Sequence, residues 1–129
     1  MKQPPEILEV EQTARQALGK VGGSRFQGWP VMDAQRLEGM ITRTALQQVV
    51  ADGGADRRLG DLVDPISFPH LHVDHPLSAA LERMGASHLD VLPVVSRADI
   101  HQMEGVVTLQ DVWDSYGFGP ANRDSNQGS

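Results

Sequence analysis

Two groups of side chains in this 129-residue chain are of the types and spacings that do chemistry. The first is the string His70-Leu71-His72-Val73-Asp74-His75, in which His70, His72 and Asp74 alternate. Successive side chains of a strand point to opposite faces, so these three would project together as nitrogen and oxygen ligands suited to zinc. The second is Thr108 with Asp111 three residues on, where Gly105-Val106-Val107 gives way to Leu109-Gln110-Asp111-Val112. A hydroxyl and a carboxylate at a strand-to-helix junction can cap free backbone N–H groups. They can equally hold a ligand, the carboxylate taking its hydroxyls and the helix start its anion. Both uses stay open, because Thr and Asp suit a first helical turn with or without a ligand. No Ser-His-Asp order, phosphate loop or paired-carboxylate arrangement stands out, so a non-enzymatic chain is expected.

Composition narrows the classes further. The net charge is −6, which argues against a nucleic-acid surface or a patch for anionic membranes. There is no cysteine, hence no disulfide and no thiolate metal site. Hydrophobic residues make up 40% of the chain but aromatics only 5%, so the core must be mostly aliphatic. No apolar run approaches a membrane span, and Met1-Lys2-Gln3-Pro4-Pro5 does not start a signal peptide. A soluble chain is expected, whether whole or part of a larger protein.

The elements that must position these residues follow from periodicity. Residues 7–10 read as a short strand. Thr13 to Val21 carries Ala14, Ala17, Leu18 and Val21 at helical spacing before Gly22-Gly23. A helix is expected from about Thr44 to Asp52, and one further helical turn from Leu59 to Val63, stopped by Asp64-Pro65. Asp56-Arg57-Arg58 reads as a solvated turn. Leu71 and Val73 then alternate with polar residues, and Pro76 opens a helix ending at Gly85. Val91 to Val95 and Gly105 to Thr108 form a hairpin whose second strand runs into a helix.

The chain states this pattern twice. A shift of 63 residues lays Ile7–Asp33 on His70–Ser96, matching Leu8 with Leu71, Ala17-Leu18 with Ala80-Leu81 and Pro30-Val31 with Pro93-Val94. Past the hairpin turn the shift becomes 66, matching Glu38-Gly39 with Glu104-Gly105 and Thr42 with Thr108. An insertion confined to a turn is what a structural repeat tolerates. The fold class is therefore α/β, with two β-α-β-β-α units over residues 7–58 and 59–117 and a disordered tail over residues 118–129. Each unit is too small to bury a good core alone, so the sheets should pack face to face about a pseudo-two-fold axis.

Leu92-Pro93-Val94-Val95 with Gly105-Val106-Val107-Thr108-Leu109-Gln110-Asp111-Val112, in duplicate, resembles a tandem CBS-domain pair, or Bateman module. The stretch Leu71 to Tyr116 is also similar to the cytoplasmic C-terminal CBS region of bacterial ClC-type chloride channels and transporters. The resemblance implies a regulatory module that binds an adenosine-type nucleotide, such as adenosine or AMP, in a cleft between the repeats. It implies ligand contacts from Thr108, Asp111, His70, Leu71, Val91 and Pro93, with Thr42 in the first repeat. It further implies a homodimer, an attached or neighbouring membrane transport domain and a cytoplasmic location, with no nucleic acid and no membrane insertion of this chain.

Two departures limit the ligand. Ala45 stands where the first repeat should carry its Asp, so that cleft lacks the ribose clamp. Asp90 and Gln27 stand where phosphate-binding members often place a base, which disfavours a polyphosphate. A ligand-free dimerisation module is the alternative reading. A more distant one comes from the resemblance of the histidine string to the zinc motif of metallo-β-lactamase-type hydrolases, a fold needing more ligands and a longer chain. Trp29 is expected in the core, and Trp113 and Tyr116 in plain packing, with part of a dimer face as the alternative.

Overall fold

The computed structural model describes residues 5–115. The expected tail and Tyr116 lie outside the described residues. The chain forms β1 (Leu8–Glu9), α1 (Ala14–Val21), β2 (Gly28–Asp33), β3 (Arg36–Thr42) and α2 (Arg43–Ala51), then β4 (Leu71–His72), α3 (Leu77–Ser87), β5 (Val91–Val95), β6 (Met103–Thr108) and α4 (Leu109–Ser115). Two three-stranded sheets result, ordered β1-β2-β3 and β4-β5-β6. In each, the first pair is parallel and the second antiparallel.

Local chemistry explains the elements. Thr13 Oγ1 accepts the Gln16 N–H at 3.1 Å while Gln16 Oε1 accepts the Thr13 N–H at 2.9 Å, a reciprocal cap that starts α1. Ala14, Ala17 and Val21 then form its buried face. The helix α3 differs from expectation. Gly85 does not end it; it runs on to Ser87, where His88 takes a left-handed backbone (φ 58°) and donates its N–H to Met84 O. Residues 56–58 also do more than turn in solvent. The Ala14 N–H donates to Arg57 O and the Arg15 N–H to Ala55 O, both at 2.9 Å, and Arg15 pairs with Asp56. Leu59 follows into the first half's core, fully buried.

The repeat extends to irregularities. The β2–β3 ladder shifts register between Val31 and Met32, and the β5–β6 ladder between Val94 and Val95, the same place in each unit. Gly39 and Gly105 stand opposite these bulges.

The sheets cover one another. Trp29 and Val31 face the helices of their own half, whereas Val91 of β5 is buried in that first core rather than its own. Met40 packs against the cores of both halves. A third cluster joins Leu37 of β3 with Phe68 and Val95. The edge of β3 is closed by the long β5–β6 turn, where Leu37 donates its N–H to His101 O at 2.8 Å and His101 Nδ1 returns a bond to Leu37 O at 2.8 Å.

The two bulge glycines predict opposite responses to alanine. Gly39 has φ +152°, and a Cβ there would lie 2.9 Å from the Val63 Cβ, whereas a Cβ at Gly105 would meet nothing within 4 Å. Gly39→Ala should cost ~1–3 kcal/mol in thermal or urea unfolding. Gly105→Ala should be neutral or stabilising by up to ~1 kcal/mol.

Candidate functional site

The expected Thr108–Asp111 junction is a closed reciprocal pair. Thr108 Oγ1 accepts the Asp111 N–H at 3.1 Å, and the Asp111 carboxylate accepts the Thr108 N–H at 2.9 Å. Thr108 is 6% exposed. Thr42 repeats half of this arrangement, accepting the Ala45 N–H at 3.0 Å, with no carboxylate to return the bond. Val91 lies opposite Thr108 in the ladder and Pro93 opposite Val106, both buried, while Leu71 lies opposite Val94 on the parallel side. His70 points elsewhere: its Nδ1 donates to Phe68 O at 2.8 Å and its ring stands edge-on to His72.

Beside the start of α4 is a cavity of about 230 Å³ lined by Arg25, Phe26, Asp90, Leu109, Gln110 and Trp113. It brings residues of both repeats together. Asp90 was expected to oppose phosphate; its carboxylate instead accepts the Gln27 N–H at 2.9 Å. Gln27 is its counterpart in the repeat. Each residue also anchors its own helix, since Asp90 O accepts the Leu109 N–H and Gln27 O the Arg43 N–H, both at 2.9 Å. Arg25 escaped the sequence reading, although it stands two residues before Gln27. Its guanidinium lies 4.7 Å from the centre of the Phe26 ring. One cation and one carboxylate thus share the cavity, which fits a neutral or singly charged ligand better than a polyphosphate.

Behind this cavity, Glu6 accepts hydrogen bonds from Ser24 Oγ at 2.7 Å and Trp29 Nε1 at 3.1 Å. Burial opposes ionisation of Glu6, but the Ser24 and Trp29 bonds and the Arg43 charge together hold its carboxyl below the usual carboxylate range. Arg43 donates to the carbonyls of Val21, Ser24 and Phe26. Trp29 is fully buried beneath it, a core residue and not a stacking platform.

The histidine string does not line up as ligands on one strand. The strand stops at His72, and Val73 turns out to solvent at 65% exposure. Asp74 is held by the Arg97 guanidinium at 3.0 Å, whose hydrogen bonds keep its carboxyl below the ordinary range. His75 Nδ1 accepts the His72 N–H at 2.9 Å. Among the described residues no group of three His, Asp or Glu is placed to hold a metal ion. The rings instead form a ladder, His70 to His72 at 5.1 Å and His72 to His75 at 5.3 Å between centroids.

Burial, then the charge of Arg83, pushes the His75 imidazole below its ordinary 6.5. A base with a lowered folded pKa contributes stability above its unfolded value and loses it as pH falls through 6.5 towards the folded value. The melting temperature at constant ionic strength should therefore fall from about pH 7.5 to about pH 5.5, and His75→Gln should reduce that fall.

Residues 59–112 match the family model of the CBS domain. Among solved structures, the chain is similar to Hypoxic Response Protein I with two coordinated zinc ions, at 20% identity and TM-score 0.68 over 89% of this chain and 94% of that one. It is similar to a CBS domain pair in complex with 5′-methylthioadenosine and S-adenosyl-L-methionine, at 19% identity and TM-score 0.67 over 90% and 94%. The cytosolic domain of the Mg2+ channel MgtE in complex with ATP matches at 23% identity and TM-score 0.62, over 84% of this chain and 44% of that one. At these identities the likeness is one of fold: two α/β halves arranged as in CBS domain pairs. No curated protein sequence matches the chain. Among the described residues no helix is long and apolar enough to cross a membrane.

Proposed function

We propose that this chain is a regulatory module, not an enzyme, that senses an adenosine-type nucleotide between its two halves. The observation that carries the reading is the Thr108–Asp111 junction, set beside a cavity to which both repeats contribute. The CBS-domain match over residues 59–112 supports it, as do similar structures solved with adenosine compounds. An ionised Asp111 can take two ribose hydroxyls, and Thr108 holds that carboxylate in place. Because Arg25 and Asp90 balance in the cavity, adenosine or a monophosphate fits better than ATP. A ligand that favours one arrangement of the halves shifts the population of states, which is the regulatory event.

The module serves, in this reading, as the cytoplasmic part of a ClC-type chloride channel or transporter. It works as a homodimer passing the shift to an attached or neighbouring transport domain. The similar MgtE domain belongs to a channel, which supports a transport context. A second reading, a ligand-free dimerisation module, is favoured by the hydrogen bonds that Thr108 and Asp111 already make to each other.

Thermal-shift titration with adenosine, AMP, ADP, ATP and S-adenosylmethionine separates the two. Adenosine or AMP should stabilise saturably, by ~2.7 kcal/mol at a hundredfold excess over Kd. Asp111→Asn, which keeps an acceptor for the Thr108 N–H, should remove that gain with little loss of melting temperature. No shift with any ligand, in a protein that elutes as a dimer, selects the assembly reading.

A further inference from the structure

We propose that the cavity between the β4 edge and α3 is a separate binding site for a small flat organic anion, of the aromatic carboxylate class. It measures about 290 Å³ and is lined by Phe68, Pro69, His70, His72, His75, Arg83, Ala86 and Ser87. That volume is near the lower end for small-molecule sites.

Charge selects the sign of the ligand. The chain as a whole is acidic, with 17 Asp and Glu against 11 Lys and Arg, yet no carboxylate lines this cavity. Asp74, the acid next to His75 in sequence, is taken by Nε and Nη2 of Arg97. The guanidinium of Arg83 has no carboxylate partner among the described residues. Its one polar side-chain neighbour is His75 Nδ1, 3.5 Å away, and that nitrogen already accepts the His72 N–H. A guanidinium presents five N–H donors in a flat fork that matches a carboxylate, so Arg83 has bonding capacity to offer an anion.

Shape selects the body of the ligand. Phe68, His70, His72 and His75 form a continuous ring ladder with centroids 5.3, 5.1 and 5.3 Å apart along one wall. A planar ring can rest on that wall while its carboxylate meets Arg83.

The site is also coupled to protons. The titratable and charged groups facing His75 are His72 on β4, Asp74 in the following turn, Arg83 on α3 and Arg97 in the β5–β6 turn. Burial first, then the charge of Arg83, holds the His75 pKa down; an anion on Arg83 cancels the second of these, so binding raises the His75 pKa and tightens as pH falls. His70 lines this cavity and not the Thr108 junction, so the two sites can be tested apart.

The test follows the imidazole resonances of the full chain, in which His88 lies outside the cavity and serves as the internal reference, whereas His101 packs against the lining ring of Phe68 at 6.4 Å between centroids. Benzoate at about pH 6 should shift His70, His72 and His75 saturably and leave His88 still. Arg83→Gln should weaken binding about tenfold or more with the His101 resonance unchanged, Arg83→Lys should restore part of it, and Asp111→Asn should have no effect. Benzamide, the uncharged counterpart, and sulfate, the anion without a ring, should both bind more weakly. The proposal is overturned by the absence of a saturable shift. It is equally overturned by an equal shift at His88, by binding indifferent to Arg83→Gln, or by benzamide or sulfate matching benzoate.

Discussion

A three-stranded sheet with helices on one face leaves its other face bare, and a unit of some fifty residues cannot hide that face by itself. In this chain each half hides the other's. Val91 is buried in the first half's core, Met40 touches both cores, and the side chain of Leu89 lies where a Cβ on Gly28 would have to go. Gly28 is thus a glycine because the second half sits on it. Burial of this reciprocal kind makes the halves one thermodynamic unit, in which the strand-to-helix junctions cannot move independently.

Among the described residues, two hydrogen-bonded links help fix how the halves meet, and Arg36 of β3 also reaches Asp99 of the β5–β6 turn at 3.9 Å. Asp90 spends its carboxylate on the Gln27 N–H, and the long second turn ties His101 to the otherwise open edge of β3. The first link lies in the wall of the cavity beside Thr108 and Asp111. A ligand bound there would therefore act on the brace between the repeats and not on one repeat alone. The loss of a carboxylate at Ala45 leaves the structural cap at Thr42 intact, so the first junction keeps its fold while lacking the group that would grip a ribose.

Much of this was legible in the chain. The shift of 63 residues placed Leu8–Glu9 on Leu71–His72 and β2 on β5, and Thr108 announced its helix locally. What was hidden depends on contacts distant in sequence. Alternation in His70 to Asp74 suggested a strand face, but pairing with β5 lasts only to Val95 and the chain then turns with Asp74 bound to Arg97. Gly85 looked like a stop, yet His88 supplies the left-handed turn four residues past Met84, the last buried residue of α3. The turn insertion was visible as a length difference; that it closes the β3 edge was not. Arg25 entered the cavity only through the folding of one half onto the other.

Native-state hydrogen exchange of the Leu37 and Gln27 amides tests the claim that the halves fold as one unit most directly. Both N–H groups donate across the boundary, to His101 O and to the Asp90 carboxylate. If the halves brace each other as described, these amides exchange only through global opening, at the same free energy as core amides of β2 and β5. Exchange at loop-like rates while α1 and α3 remain protected would contradict the account, because it would mean that the two sheets separate without unfolding either half.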